Sequence, residues 1–321
     1  MRTREFAAAY ALDWCIGDPE WMPHPVRLIG WGIEASEGAL RRYGSGKLFE
    51  LTAGATVAIG VPTAAAFCAH ATLRQTHRLH PRVGTAAEIW LASTCLATRN
   101  LLDEAQEVIR ALEMGEMDQA RLRLARIVGR NTNTLDEAEI CRALVETLAE
   151  SLSDGIVAPL LYLSIGGVPL AMAYKAVNTL DSMIGHKDET HLYFGRVSAR
   201  MDDIANYIPA RISALLLCLV ATWVPDASGV RGWRIWRRDG GKHVSPNAGQ
   251  VEAAIAGLCG VRLGGTNRYG DEVVASARLG DEFPPASRHT ARRAWKAVAL
   301  ASLLGFAGAL FLLARRNSNA W

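Results

Sequence analysis

The chain has 321 residues, of which 50% are hydrophobic and 21% are charged, so it is long enough for one large or two medium-sized domains. Its 35 Lys and Arg side chains nearly balance 32 Asp and Glu. A nucleic-acid-binding protein usually carries a concentrated basic face, and we therefore expect no nucleic acid partner. The six cysteines lack the short spacing of a zinc site or a redox dithiol, which excludes those sites as well.

Five apolar segments are predicted to lie in a membrane. Residues 51–73 and 295–314 meet the requirement most clearly, because each approaches the roughly 20 apolar residues that a spanning helix needs. The other three contain charged residues or prolines, and a buried helix of a soluble domain is the alternative for each; they are 83–102, 156–176 and 207–224. The last two could also form a re-entrant pair. The bilayer tolerates such a pair only when protein or water forms hydrogen bonds with the polar groups of its irregular backbone.

These segments predict an all-α fold, a polytopic integral membrane protein with about four to five membrane-embedded helices and helical cytoplasmic segments. We expect a single membrane-embedded domain over residues 1–321. If all five segments span, the regions 1–50, 103–155 and 227–294 share one side and carry 23 Lys and Arg, against 8 on the other side. The positive-inside rule then places these regions in the cytoplasm. We expect a multi-pass protein of the cell inner (cytoplasmic) membrane, in contact with membrane lipid.

The polar regions show helical patterns and turns but no strand-rich stretch. Residues 103–128 predict an amphipathic helical region that is broken near Gly115. Residues 135–153 predict a second helix, with Asn133 or Thr134 as its N-cap. Two non-helical segments are predicted from their composition, a loop over 223–241 and a turn over 280–285.

The first motif that could carry chemistry is the segment 17–27. Three prolines within seven residues hold this backbone extended, so that Asp18, His24 and Arg27 project from a rigid segment. A rigid segment suits a binding site. The alternative is a helix terminator with a solvated aspartate cap, because turns use the same residues.

The second motif joins the loop 129–132, which contains Arg130, to a helix with an acidic face. Positions three and four residues apart place five carboxylates near that face; they are Asp136, Glu139, Glu146, Glu150 and Asp154. The functional interpretation is a carboxylate cluster for Mg²⁺, which prefers hard oxygen ligands and arrives with nucleotide phosphates. The alternative is the solvated face of an ordinary amphipathic helix.

The third motif combines charges at the borders of apolar stretches. Lys175 and Arg211 lie at such borders, where charge is usually functional. Three aspartates can offset them and two asparagines accompany them; these are Asp181, Asp202, Asp203, Asn178 and Asn206. The alternative is that the basic side chains extend from helix ends toward water.

The fourth motif is the glycine-rich segment 238–249, which precedes an alanine-rich helix. Basic and hydroxyl groups at a helix N-terminus suit an anionic group such as phosphate. The side chains that would bind it are Lys242, His243, Ser245 and Asn247. The segment differs from a P-loop, because the pattern G-x-x-x-x-G-K-[ST] occurs nowhere in the chain.

Taken together, these four motifs, in this order and between these apolar segments, resemble the adenosylcobinamide-phosphate synthase family. The resemblance covers roughly residues 10–280 and is densest in four stretches, 154–160, 166–169, 173–185 and 198–211. It implies an ATP-dependent carbon–nitrogen ligase of cobalamin biosynthesis. Such an enzyme joins aminopropanol or its phosphate to a propionate carboxylate of adenosylcobyric acid, giving adenosylcobinamide or its phosphate.

The resemblance also implies cofactors, partners and site residues. We expect ATP and Mg²⁺ as cofactors and a corrinoid and a small amine as substrates, with other membrane enzymes of the cobalamin pathway as partners. The expected catalytic residues are Asp18, His24, Glu146, Glu150, Asp181 and Asp202. The expected substrate- and phosphate-binding residues are Arg27, Arg130, Lys175, Asn178, Asn206, Lys242, His243, Ser245 and Asn247. Asp154 and Asp203 are the expected metal ligands.

Two departures from the family pattern keep other functions open. Asn131 stands where the family has Asp, and Ser151–Leu152 replace an Asn–Thr pair. Asn retains an oxygen donor without the charge, so weaker metal binding is expected. A non-catalytic relative that acts as a sensor or scaffold is one alternative. A membrane transporter is the other, supported by broken apolar helices with buried charges but lacking an internal repeat.

Overall fold

The computed structural model describes residues 1–19, 24–186, 190–269 and 272–318. It is 76% helical, which confirms the all-α prediction. The helices are α1 Thr3–Ile16, α2 Pro25–Leu40, α3 Lys47–Leu79, α4 Pro81–Ser93, α5 Thr98–Met114, α6 Met117–Ala125, α7 Glu137–Ser151, α8 Ala158–Ile184, α9 Arg196–Ala205, α10 Tyr207–Val220, α11 Gly229–Asp239, α12 Ala248–Cys259 and α13 Arg288–Ser318. A π-helical turn, Leu152–Val157, joins α7 to α8, and a 3₁₀ turn, Ala221–Trp223, follows α10. The strands are β1 Leu263–Tyr269 and β2 Glu272–Leu279.

Three helical runs are long and apolar enough to cross a membrane, namely α3, the 48-residue run Glu137–Ile184, and α13. They contain the predicted segments 51–73, 156–176 and 295–314. A fourth candidate is α9 with the apolar segment Tyr207–Trp223, which passes the same test only as a broken pair. The protein is therefore a membrane protein, as predicted.

The predicted segment 83–102 is not one helix. The backbone N–H groups of Cys95 and Leu96 bond to carbonyl groups three residues earlier, at 3.2 and 2.9 Å, which ends α4. The hydroxyl group of Thr94 also donates to the carbonyl oxygen of Leu91 at 2.9 Å. Local side-chain hydrogen bonds of this kind compete with helix continuation, so the chain turns before α5 begins.

The described chain forms two compact units. The first contains residues 1–97, 158–206 and 308–321, and the second contains residues 98–157 and 207–307. The single domain expected over the whole chain remains a prediction.

In the first unit, α3 packs against α2, α4, α8 and α9. Its core is a cluster of buried apolar side chains from α2, α3, α8 and the segment before α9; these are Ile33, Ala53, Val57, Leu180, Ile184 and Phe194. Gly54 permits the close contact, because a Cβ atom there would lie 1.8 Å from the carbonyl oxygen of Phe194. Within α8, Gly167 has φ +67° and ψ −162°, so helical geometry is interrupted just before Pro169.

In the second unit, α12 packs against α7, α10 and α11 and contacts both strands. Every residue of α12 is buried except Gln250, which is half-buried. Its alanines and glycines let neighbouring backbones approach closely. A Cβ atom at Gly257 would lie only 2.6 Å from the carbonyl oxygen of Arg231 on α11.

The break predicted near Gly115 is confirmed, because α5 ends at Met114 and Gly115 has φ +77°. The prediction that Asn133 or Thr134 forms the N-cap of α7 is wrong. Asp136 caps α7 in a capping box with Glu139, whose side chain accepts a hydrogen bond from the backbone of Asp136 in return. The reciprocal bonds satisfy two N–H groups, which Asn133 or Thr134 alone could not do.

Two further segments differ from the sequence expectations. The segment 223–241, predicted as a loop, contains the helix α11, which begins at an N-cap formed by Ser228. Its buried face is small, because only Gly232, Ile235 and Asp239 are buried. Such a face gives little apolar periodicity from which a helix could be predicted. The antiparallel hairpin of β1 and β2 was not expected either, since Gly264 and Gly265 near its start weaken the strand pattern.

Candidate functional site

A polar cavity of about 260 Å³ lies within the second unit. It is lined by the loop before α7, by α7 itself, by the N-terminal half of α12 and by both strands. The lining residues are Ile127, Val128, Gly129, Arg130, Glu146, Thr147, Glu150, Ser151, His243, Ser245, Ala248, Glu252, Gly264, Asn267 and Ser276. The structure thus brings residues of the second and fourth sequence motifs together at one cavity.

Glu146 is the most fully bonded carboxylate of this cavity. Its Oε2 atom accepts a hydrogen bond from the guanidinium of Arg130. Its Oε1 atom accepts from Arg142 at 3.2 Å and from the backbone N–H of Gly264 at 2.9 Å. Arg130 also donates to the side-chain oxygen of Asn267 on β1. Glu146 therefore joins the loop, α7 and the hairpin, and its catalytic role stays a prediction.

Glu150 and Glu252 are the other carboxylates at this cavity. Glu150 is exposed, whereas Glu252 is 6% exposed and lies in the middle of α12. Burial raises the pKa of Glu252 well above its usual range, and the negative charges of Glu146 and Glu150 add to this effect. The positive charges of Arg130 and Arg142 oppose the rise without cancelling it.

The residues that lead into α12 also line the cavity. The ring Nδ1 atom of His243 accepts the backbone N–H of Ser245 at 3.0 Å, so the neutral ring carries its proton on Nε2. The hydroxyl oxygen of Ser245 accepts the backbone N–H groups of Asn247 and Ala248 at 3.3 and 3.2 Å. His243 and the positive end of the α12 dipole therefore favour an anion in the cavity.

Two of the four predicted phosphate-binding residues of the fourth motif, Lys242 and Asn247, do not line the cavity. The amino group of Lys242 lies 2.6 Å from Oδ1 of Asp239, and the side-chain oxygen of Asn247 accepts from Arg211 at 3.3 Å. Asp239 is completely buried and also accepts from Arg238 and from the backbone N–H of Gly280. Burial opposes ionisation, but the hydrogen bonds from Arg238, Lys242 and Gly280 outweigh it and hold the pKa of Asp239 below its usual range.

The first unit holds the predicted residues of the first and third motifs. His24 caps α2, because its Nδ1 atom accepts the backbone N–H of Val26 at 3.3 Å, and its Nε2 atom lies 3.2 Å from Oδ1 of Asp18. Arg27 lies in the first turn of α2 and is exposed. The central part of this motif, residues 20–23, lies outside the described residues.

A polar network joins α8 and α9 within the first unit. Oδ1 of Asp202 accepts hydrogen bonds from the side-chain amides of Asn206 at 2.9 Å and Asn178 at 3.4 Å. Asn206 in turn accepts from the hydroxyl group of Tyr174 at 2.8 Å. The charge of Asp181 acts on Asp202, so these predicted residues do lie close together. Lys175 is half-buried on the same helix as Asn178.

The two predicted metal ligands fall in different units. Asp154 lies in the π-helical turn of the second unit, and Asp203 on α9 pairs with Arg200 at 3.2 Å in the first. Among the described residues, no group of three or more His, Cys, Asp and Glu side chains could hold a metal ion. A metal site built by the protein alone therefore finds no support in the described part of the chain.

A larger cavity, of about 790 Å³, lies along α2 and α3 in the first unit. No charged side chain is among the described residues that line it, and α3 is one of the helices long enough to cross a membrane. This mostly apolar cavity can therefore accommodate apolar groups.

Glu252 and Asn267 are cavity residues that the sequence motifs did not identify. Asn267 has no distinctive sequence signal. Glu252 has a sequence signal, because it is the only charged residue of α12. The rest of this helix consists of apolar or small residues and the polar Gln250. A lone acid in an apolar helix that proves to be buried is a functional candidate, since such groups are seldom retained without a partner.

Comparison with known proteins gives matches over nearly the whole chain. The model of one family, described as CobD/Cbib protein, matches residues 6–298. A protein named cobalamin biosynthesis protein CobD, from Geobacter metallireducens, is 47% identical over 300 residues, which cover 92% of this chain and 93% of that protein. Cobalamin biosynthesis protein CbiB from Salmonella choleraesuis is 45% identical over 315 residues, 98% of each chain.

The protein of the same name from Salmonella typhimurium is 45% identical over 308 residues, 95% of this chain and 96% of that protein. No solved structure matches the chain significantly. The family match and the long alignments confirm the resemblance predicted from the sequence, and the chain belongs to the CobD/CbiB family.

Proposed function

We propose that this protein acts in cobalamin biosynthesis as an ATP-dependent ligase. It joins aminopropanol, or its phosphate ester, to a propionate carboxylate of adenosylcobyric acid, and the product is adenosylcobinamide or its phosphate. Membership of a family whose relatives are named cobalamin biosynthesis proteins supports the pathway. The observation that carries the proposed chemistry is the small polar cavity of the second unit, whose lining includes acidic groups and groups that can bind an anion.

The volume of this cavity limits what it can enclose. Pockets that enclose drug-sized ligands measure roughly 300–1,000 Å³, and this cavity of about 260 Å³ is smaller. It is suited to the small amine and to the reacting end of the propionate, with the corrin ring outside. Glu150 and Glu252 favour the ammonium group, and His243 at the N-terminus of α12 favours a phosphate or carboxylate oxygen.

Amide formation from a carboxylate requires activation, because a carboxylate is a poor acyl donor. Transfer of the γ-phosphoryl group of ATP to the propionate gives an acyl phosphate and ADP. Basic side chains and helix N-termini stabilise such a transfer by neutralising the charge on the phosphoryl oxygens. In this chain His243, Arg130 and the N-terminus of α12 are in position at the cavity to do so.

ATP would bring Mg²⁺ with it, because this ion is usually held by one or two protein carboxylates together with phosphate oxygens. The exposed carboxylate of Glu150, with the hydroxyl groups of Thr147 and Ser151 on the same wall of the cavity, fits that donor chemistry. The ion would supply positive charge to the phosphates.

We also propose that the protein lies in the cell inner membrane with its large polar regions in the cytoplasm. The charge asymmetry of the sequence supports this orientation. The residues that line the polar cavity come from the segments 127–151 and 243–276, which belong to the regions expected on the cytoplasmic side. The cavity would then share its compartment with ATP.

The test is a ligation assay on detergent-solubilised protein with ATP, Mg²⁺ and adenosylcobyric acid, using aminopropanol or aminopropanol phosphate, with product followed by mass. ATP consumption should require both the corrinoid and the amine. Well-folded protein that forms no amide with either amine contradicts the proposal. Solute movement into vesicles without ligation would instead identify a transporter. A protein that shows neither ligation nor transport would be identified as a scaffold.

A further inference from the structure

Glu252 is a buried carboxyl group for which the described residues provide no hydrogen-bond or ion-pair partner. It is 6% exposed and lines the polar cavity. Within the part of the chain that the structure describes, its side chain takes part in no hydrogen bond and no ion pair. Burying an ionisable group without a partner is costly, so a group in this situation calls for a ligand that supplies one.

The other carboxylate in the interior of the cavity is already occupied. Glu146 accepts hydrogen bonds from two arginines and one backbone N–H, so its oxygens have little capacity left for a proton. Glu252 lines the same cavity, and none of the described residues donates a hydrogen bond to it. The two glutamates therefore differ in role, Glu146 holding the cavity together and Glu252 remaining available for chemistry.

His243, the imidazole at this cavity, is less suited to accept a proton. Its Nδ1 atom already accepts the backbone N–H of Ser245 at 3.0 Å, so in the neutral ring the proton lies on Nε2. That tautomer can donate to an anion but offers no free lone pair to an ammonium group. Glu252 is left as the buried proton acceptor of the cavity.

We propose that Glu252 takes the proton from the ammonium group of the amine substrate, an inference that rests on the proposed ligase function. The ammonium transfers one proton to the carboxylate, which becomes a carboxylic acid, and the amine lone pair is released. The amine nitrogen then forms a bond to the carbonyl carbon of the acyl phosphate. The carbon–oxygen bond to phosphate breaks, phosphate leaves with the electron pair, and the second nitrogen-bound proton passes to solvent.

The charges around Glu252 agree with this role. Burial, together with the negative charges of Glu146 and Glu150, raises its pKa, and the positive charges of Arg130 and Arg142 oppose part of this rise. A raised pKa makes the carboxylate a stronger base toward an ammonium group. The ammonium charge would also be stabilised beside three glutamates before its proton is removed.

The experiment compares wild type with Glu252→Gln, which keeps the shape of the side chain and removes its basicity. Two nucleophiles are used at pH 7.5, aminopropanol, which is mostly protonated, and hydroxylamine, a weakly basic amine that is already neutral. Single-turnover amide and hydroxamate formation are followed by corrinoid mass. Glu116→Gln, at an exposed residue outside the cavity, is the matched control.

We expect Glu252→Gln to slow amide formation by about 100-fold or more, the usual contribution of a positioned acid or base. Hydroxamate formation should fall by less than about threefold, since hydroxylamine needs no initial deprotonation. Equal losses with both nucleophiles, or no loss with either, would overturn the role of Glu252 while leaving the ligase function intact. Absence of both products from wild type, with aminopropanol phosphate also giving no amide, would overturn the function and the role of Glu252 together.

Discussion

The guanidinium of Arg130 and the carboxylate of Glu146 form a largely buried ion pair that links the loop before α7 to the helix itself. Glu146 also accepts a hydrogen bond from the backbone N–H of Gly264 at the start of the hairpin. One carboxylate thus positions three segments that line the polar cavity.

Glu146→Gln should lower both stability and ligation. The substitution removes the charge that Arg130 and Arg142 share and leaves Arg130 largely buried beside a neutral amide. Breaking a buried ion pair by removing one partner costs about 3 kcal/mol or more. Thermal denaturation in detergent should show a clearly lower midpoint. Glu107→Gln, which removes an exposed pair with Arg110, is the control and should change stability by less than about 1 kcal/mol.

Glu252→Gln should make the unliganded protein more stable at neutral pH. The folded-state pKa of Glu252 lies above its unfolded value, near 4.3. Between these two values the folded state binds more protons than the unfolded state, so wild-type stability falls as pH rises through this window and stays lower above it.

The glutamine side chain does not ionise, so the variant's advantage in free energy of unfolding should grow from about pH 4.3 upward and reach about 1 kcal/mol or more, since each unit of pKa difference between the folded and unfolded states corresponds to about 1.4 kcal/mol. Thermal midpoints of both proteins measured from pH 4.5 to 8 provide the check. A variant that is less stable than wild type throughout this range would contradict the assignment of Glu252 as a buried carboxyl group with a raised pKa.

Asp239→Asn should destabilise the second unit by about 3 kcal/mol at neutral pH, because it removes a buried charge that Arg238 and Lys242 both contact. The folded-state pKa of Asp239 is depressed, so its contribution is present above the unfolded value near 3.9 and is lost as pH falls through the folded-state pKa. The difference between variant and wild type should therefore shrink below about pH 4. Asp281→Asn, at an exposed pair with Arg278, should have little effect at any pH.

Gly257→Ala should separate α11 from α12. A Cβ atom there would lie 2.6 Å from the carbonyl oxygen of Arg231 and 2.9 Å from the Cα atom of Gly232, and backbone atoms cannot move aside cheaply. We expect a loss of about 1–3 kcal/mol, as for other overpacked cores. Gly241→Ala, where no atom lies within 4 Å of the added methyl group, should leave the thermal midpoint nearly unchanged.

The sequence predicted three of the membrane helices, because the length and apolar character of a segment such as 51–73 are local properties. It failed where the outcome depends on hydrogen bonds between neighbouring side chains and backbone. The break after α4 depends on the bonds of Thr94 and Cys95, and the start of α7 on a reciprocal bond between Asp136 and Glu139. Such competition among local bonds leaves only a weak compositional signal.

The candidate site could be predicted in part. Residues 130, 146, 150, 243 and 245 were identified from motifs, and the structure places them at one cavity. The difference in hydrogen bonding between Glu146 and Glu252 could not be predicted. It depends on hydrogen-bond donors from distant parts of the chain, such as the backbone N–H of Gly264.

The close packing of α12 has a consequence for motion. All its residues except Gln250 are buried, and its glycine at 257 touches the backbone of α11, so local opening of this helix would expose core side chains. Segments with dense burial open only with most of the global unfolding free energy. The amide hydrogens of α12 should accordingly exchange with solvent among the slowest of the second unit, and Glu252 would keep a nearly constant position through each catalytic cycle.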